Sequence, residues 1–218
     1  MRRAVLLAGG WAHPGHDQVA AVSALLAERS FETRVVRDPA DVPATLDDGC
    51  DLLVVAACWF SMTDERYTDE QRRDHAVVFS PALDQALAKL RNQGCPVLAL
   101  HTAVICFDGH ATWADWLGAT WNWTTSWHPQ PGPILVQPAD ETPIEFPAFT
   151  VLDELYQGLD LAAGADIVAH AEGHPLVWLQ ATESGRAVVN LLGHDHQSLA
   201  EPNHRQLNGQ LLDWLLRN

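Results

Sequence analysis

The chain has 218 residues, 47% of them apolar, which suits one domain with a proper core. Its 28 acidic residues against 13 basic ones give a formal net charge of −15 with His neutral, a field that repels phosphate backbones and anionic lipid. Nucleic acid and membrane surfaces are thereby excluded as partners, and neutral or cationic small molecules remain.

Met1-Arg2-Arg3 leads into an apolar run over residues 4–8, which Gly9-Gly10 interrupts too early for a signal peptide. The run predicts a strand buried on both faces. A Gly-rich loop over 9–15 follows, then a helix over 17–28 whose Val19, Val22, Leu25 and Leu26 share one face. Residues 31–36 alternate as a second strand, and 51–57 form a third, rich in Val and Leu. Residues 81–93 read as a helix with Pro81 at its start and Gly94 just past its end, and 96–100 as a fourth strand. This order, with short connections, is that of an α/β protein whose doubly wound, mostly parallel sheet is flanked by helices. Ligands of such sheets lie outside the carboxyl ends of the strands, here 9–16, 58–60 and 101–107.

Beyond residue 100 come a short helix over 112–117 and a Trp-, Pro- and His-rich stretch over 119–133. Strands follow at 134–137, 166–171, 176–181 and 187–192, with Ser184-Gly185 as the turn between the last two. An amphipathic helix over 203–217 closes the chain. No repeat, low-complexity segment or linker divides residues 1–218, which read as a single domain. No apolar run approaches the roughly 20 residues that span a bilayer, and the expected location is the cytoplasm. Cys50, Cys58, Cys95 and Cys106 lack paired spacing and read as buried small hydrophobes rather than disulfide partners.

Five constellations bear on chemistry. In the first loop, Gly9-Gly10-Trp11-Ala12-His13-Pro14-Gly15-His16-Asp17, the phosphate-binding glycine fingerprints are absent and Asp17 is placed to cap a helix. Two histidines in one Gly-Pro loop balance a plain turn against a metal or proton site. His101 ends the central strand where hydrolytic α/β enzymes carry a nucleophile elbow, a position for a general base, nucleophile or metal ligand. Gly193-His194-Asp195-His196 ends the last strand, and Asp195 is placed to orient a neighbouring ring. Asp153-Glu154-Leu155-Tyr156 is either a helix start or the carboxylate of a sugar site. Trp113, Trp116, Trp121, Trp123 and Trp127, with His128-Pro129 after them, divide evenly among ligand lining, core and oligomer interface.

These landmarks stand in a recognisable order. His16-Asp17 precedes the first helix, Leu100-His101-x-Ala103 follows the central strand, and Leu117-Gly118 and His128-Pro129 come next. Asp153-Glu154-x-Tyr156, Pro175-Leu176-Val177-Trp178 and Gly185-Arg186 follow, before a strand that closes in Leu192-Gly193-His194-Asp195. The set spans nearly the whole chain and resembles the ThuA-like (trehalose-utilisation) family. The resemblance implies a flavodoxin-like sheet of the class I glutamine amidotransferase-like superfamily and a link to the catabolism of trehalose or related sugars. It also implies that no thioester forms at the elbow, which carries His101 where amidotransferases carry Cys. The family's His-Pro pair ahead of Asp-Glu-x-Tyr is Thr142-Pro143 here.

Residues and resemblance together predict a sugar-processing enzyme for a disaccharide, glycoside or keto-sugar. His101, His194, Glu154 and Asp195 are the expected catalytic groups, and Trp11, Trp59, Trp127, His128 and Tyr156 the expected substrate contacts. His16, His101 and His194 are the expected ligands of a divalent metal, zinc above others. The partner is a small carbohydrate, and the Trp content with the prevalence of two-fold symmetry suggests a homodimer. Two rivals stand beside this reading. One is a non-catalytic carbohydrate-binding or regulatory protein, and the other a Cys-dependent amidase or peptidase using Cys58 or Cys106.

Overall fold

The computed structural model describes residues 2–182 and 185–217. The first half of the chain forms β1 (Arg2–Gly10), α1 (His16–Glu28), β2 (Phe31–Val36), α2 (Val42–Asp47), β3 (Leu52–Cys58), α3 (Asp69–His75), α4 (Pro81–Asn92) and β4 (Val97–Leu100). The second half adds α5 (Ala111–Leu117), β5 (Ala119–Thr120), β6 (Gly132–Pro138), β7 (Phe149–Asp153), β8 (Asp160–Leu161), β9 (Asp166–Ala171), β10 (His174–Thr182), β11 (Gly185–Asn190), α6 (His196–Ala200) and α7 (Pro202–Leu215). Nine strands make one sheet in the order β2-β1-β3-β4-β11-β10-β9-β6-β7, and β5 pairs only with β8. From β2 to β11 every pairing is parallel, while β10, β9, β6 and β7 extend the sheet antiparallel. Because an even number of reversals restores direction, β7 runs the same way as β11 and ends at the same rim.

The elements follow from local chemistry. All seven residues of β3 are buried, as a central strand covered on both faces requires. Along β1, Val5 and Leu7 enter the core shared with α2, α4 and α5, while Ala4 and Leu6 enter the core shared with α1 and α7. Ser80 caps α4 by accepting the Leu83 N–H at 3.2 Å, Pro81 opens it, and Gly94 leaves it with φ 73°. The expected cap of α1 is corrected. Gly15, in a left-handed conformation, precedes His16 as the first helical residue, and Asp17 instead accepts the His196 N–H at 2.9 Å. Asp17 thus ties the start of α1 to α6. Ser184 of the expected turn lies outside the described residues, and β10 and β11 pair from Thr182↔Gly185 onward. Among the described residues no helix is long and apolar enough to cross a membrane.

A buried polar chain runs beneath α6 and α7. Ser198 donates its hydroxyl to Asp153, and His204 Nδ1 donates to the Ser198 carbonyl at 2.8 Å. His204 Nε2 then accepts from Asn190 Nδ2 at 3.1 Å, and the same amide reaches Asn208 Oδ1 at 2.9 Å. This tautomer, assigned from its partners, leaves no room for a second ring proton, which would face an amide donor. Burial lowers the His204 pKa, and the His101 charge adds to it. The Ser198 carbonyl and the Asp153 and Glu201 carboxylates oppose them without reversing the sign. Phe149 stacks on the ring at 6.3 Å.

The unfolded chain therefore takes up this proton first. Stability is whole above about pH 6.5 and falls below it, by up to about 1.4 kcal/mol per pH unit for one proton. Urea unfolding midpoints between neutral and mildly acidic pH should show that slope, reduced in His204→Gln. An equal slope in the variant would remove His204 as its source.

Candidate functional site

Five segments meet at the carboxyl rim. After β1 the backbone passes so close to β3 that a Cβ on Gly10 (φ 114°) would lie 2.3 Å from the Cys58 carbonyl oxygen. Only glycine permits that approach, after which the Trp11 N–H bonds the same carbonyl at 3.2 Å. The loop then turns His13 inward, with Nδ1 3.2 Å from the Trp11 carbonyl. At the end of β4, His101 adopts a left-handed backbone, φ 48°, opening a short 3-10 turn over His101–Val104. A non-glycine residue there is strained, and such strain gathers where a side chain must be aimed. Its Nδ1 lies 2.8 Å from the Leu191 carbonyl.

Asp153 ends β7 and holds the remaining segments. Its buried carboxylate accepts the Glu154 and Gly193 N–H groups, each at 2.7 Å, and the Ser198 hydroxyl. Gln18 on α1 holds the same turn from the other side through the Gly193 and His194 carbonyls, at 2.7 and 2.8 Å. Glu154 and His194 are thereby set facing each other.

The side chains converge closely. His101 Nε2 is 3.3 Å from His13 Nε2 and 3.4 Å from Glu154 Oε2. His128 Nδ1 stands 3.4 Å from Glu154 Oε2, and His194 Nε2 stands 3.7 Å from Glu154 Oε1. These are ion-pair distances, and Glu154 Oε2 is buried with no hydrogen-bond partner among the described residues. Burial works to lower the His101 pKa, but the Glu154 and Asp153 carboxylates and the Leu191 carbonyl together raise it. Burial works to raise the Glu154 pKa, but His101 first, then the charges of His128 and His194, lower it. His13 is driven down to about 4, by burial first and then by the His101 charge. His13, Glu154 and His194 each offer a ligand atom within 4.8 Å of the others.

Above this floor opens a cleft of about 340 Å³, within the range of small-molecule sites. Trp11, Trp121, Trp123, Trp127 and Tyr156 form aromatic walls. His128 stacks on Tyr156 with ring centroids 4.9 Å apart. Trp127 stands at the mouth, 52% exposed. The Tyr156 hydroxyl and Trp121 Nε1 are buried without a hydrogen-bond partner among the described residues.

Of the expected residues, His101, His194 and Glu154 come together, and Trp11, Trp127, His128 and Tyr156 line the cleft. Asp195 lies beside them. It caps α6 through the Gln197 and Ser198 N–H groups and stands 3.5 Å from His194 Nδ1. Two positions are corrected. His16 is the exposed first residue of α1, its ring 3.5 Å from the Arg37 guanidinium, and His13 takes the place in the cluster expected of it. Trp59 is 2% exposed and packs in the core below Gly10, outside the cleft lining. Trp113 and Trp116 are core as well. Cys58 and Cys106 are buried. Burial drives the Cys58 thiol up to about 12 and that of Cys106 far above its usual range, so neither forms the thiolate that nucleophilic attack needs.

Sequence reasoning did not choose His13 over His16 or divide Asp153 from Glu154, and it missed Ser198. His13 stood in the first loop with His16, and the signal for choosing it was the helix start, which commits His16 to a helical turn. His128 supplies the contact to Glu154, while Thr142 closes only a local turn with Ile144.

The family model described as ThuA, trehalose utilisation, matches residues 3–215. No curated protein matches the sequence. Among solved structures, a protein described as ThuA-like from Parabacteroides merdae superposes with a TM-score of 0.75 at 13% identity, covering 98% of this chain and 89% of that one. A second protein so described, from Bacteroides uniformis, gives 0.71 at 12% identity, over 99% and 91% of the two chains. A Salmonella typhimurium LT2 chain described as cytoplasmic protein STM1381 gives 0.66 at 12% identity, over 99% and 100%. At these identities the structures speak for the fold alone.

Proposed function

We propose, from the premise that this chain belongs to the trehalose-utilisation (ThuA) family, that it is an enzyme acting on a small neutral carbohydrate: a disaccharide, glycoside or keto-sugar. The observation that carries this reading is the pairing of aromatic walls with an imidazole–carboxylate floor in one cleft. A sugar ring has apolar C–H faces, which indole and phenol rings cover, and a rim of hydroxyls, which need polar partners. The orphaned Tyr156 hydroxyl and Trp121 N–H are such partners. The net charge of −15 disfavours phosphorylated sugars and leaves neutral ones.

His101 and Glu154 sit at the bottom, where a bound sugar presents the oxygen that reacts. Asp153 orients rather than reacts, because its carboxylate is buried and already accepts the Glu154 and Gly193 N–H groups and the Ser198 hydroxyl. A purely binding protein has no use for a strained histidine aimed at a buried carboxylate, and the positive φ of His101 therefore favours turnover.

Calorimetric titration with a panel of disaccharides, glycosides and keto-sugars tests the reading. At least one member should bind, and Trp127→Ala should weaken it about 10-fold, a loss of about 1.4 kcal/mol. A panel in which nothing binds, or in which Trp127→Ala binds as well as the parent, sinks it.

A further inference from the structure

The floor of the cleft poses a problem in lone pairs. His13 directs Nδ1 at the Trp11 carbonyl, at 3.2 Å, and so presents Nε2 as an acceptor, while His101 directs Nδ1 at the Leu191 carbonyl, at 2.8 Å, and turns Nε2 toward the cleft floor. His13 Nε2 lies 3.3 Å from His101 Nε2, which stands 3.4 Å from Glu154 Oε2, an oxygen buried without a hydrogen-bond partner among the described residues. His194 brings Nε2 to 3.7 Å from the other Glu154 oxygen. His13, Glu154 and His194 thus bring two imidazole nitrogens and a carboxylate oxygen within 4.8 Å of one another, an arrangement that suits a cation.

The spacing matches a particular kind of cation. Two ligands about 2.0–2.1 Å from a tetrahedral metal stand roughly 3.3–3.4 Å apart; His194 Nε2 and Glu154 Oε1 are 3.7 Å apart and the three ligand atoms lie within 4.8 Å of one another, so small side-chain turns close them on an ion. Imidazole with one carboxylate is a donor set for zinc and its neighbours, not for calcium or magnesium. An outer contact fits as well. The Trp11 carbonyl fixes His13 through its distal nitrogen, at 3.2 Å. Metal-bound histidines are held in this way.

We infer that His13, Glu154 and His194 form a binding site for a divalent transition-metal ion of the zinc class. Three protein ligands leave a fourth position open toward the cleft, next to His101, for water or a substrate oxygen. The use of such an ion in sugar chemistry rests on the carbohydrate reading; its binding does not.

Tag-free protein, stripped with a chelator and dialysed, is titrated with cobalt(II) and separately loaded with zinc for elemental analysis. About one equivalent should bind, with the visible d–d band of tetrahedral cobalt. His13→Ala, Glu154→Gln and His194→Ala should each lower zinc affinity by at least about 100-fold, whereas His16→Ala should retain it. Circular dichroism identifies any variant that fails to fold, and the folded ones decide. Absence of the band, retention of metal by every folded variant, or its loss in His16→Ala overturns the inference. Sugar titrations on both the stripped and the zinc-loaded protein separate the two readings. Metal uptake with no sugar binding sinks only the carbohydrate reading, and sugar binding without metal uptake sinks only this one.

Discussion

Alanine at Asp153 should destabilise the fold by roughly 3–9 kcal/mol and abolish any activity of the cleft. The side chain makes no expected contact with substrate, so the effect must come through the groups it holds. Removing its carboxylate strands the Glu154 and Gly193 N–H groups and the Ser198 hydroxyl, all buried. Each buried donor left without an acceptor costs about 1–3 kcal/mol, and a domain has only about 5–15 kcal/mol to lose. Asp153→Asn keeps the shape and one acceptor oxygen but turns an NH₂ toward donors, so it should recover part of the stability and little of the activity. Urea unfolding and turnover, measured on both variants, decide the matter. An alanine variant within about 0.5 kcal/mol of the parent would mean that the turns at 154 and 193 are held by other contacts.

Replacing His101 should leave the fold standing and remove turnover. A positioned imidazole contributes about 10²- to 10⁴-fold, and His101 stands 3.4 Å from Glu154, level with His128 and closer than His194 at 3.7 Å. Its φ of 48° makes the choice of variant matter. Asparagine tolerates the left-handed region better than alanine does, so His101→Asn isolates the loss of the ring from backbone strain. A fall in kcat of at least about 10³-fold, with a thermal midpoint near that of the parent, is the expected result. Retained turnover would remove His101 from the chemistry and leave it a structural role beneath the Leu191 carbonyl. If His101→Ala falls in both stability and activity while His101→Asn falls only in activity, the difference measures the strain.

The fold was legible because its strongest signals are local. The buried run of β3, the Pro81-to-Gly94 frame of α4 and the alternation in β2 each fix an element without help from the rest of the chain. What escaped was short or uniformly polar. No residue of α3 is buried, so it carries no apolar stripe to read, and α2, α6 and β7 are five or six residues each. Of the antiparallel extension, β10, β9 and β6 were visible as strands but not as an order, because pairing depends on partners far away in the chain. At the site, the strand-end rule placed His101 and His194, and the acidic pair in Asp153-Glu154-x-Tyr156 was found but could not be divided. Only the structure separates the residue that faces the cleft, Glu154, from the one that braces two turns, Asp153. Trp59 and His16 show the opposite limit. A rim position in sequence does not tell which way a side chain points, and the close approach at Gly10 sends Trp59 into the core.

Where β11 sits in the sheet constrains how the chain can be made. Among the described residues only this strand, with β4 on one side and β10 on the other, joins the parallel half to the antiparallel extension, yet it follows every other strand in the chain. As the chain leaves the ribosome, β4 must wait with one edge unpaired while residues 101–184 follow it, and an open hydrophobic edge is a template for mispairing. No fragment ending before β11 can complete either half of the cleft, since His101 rests on Leu191 and Glu154 on the turn that β11 delivers. The protein is thus committed to an all-or-nothing closure that waits for β11, and the interval before it is when nascent chains most need shielding from one another.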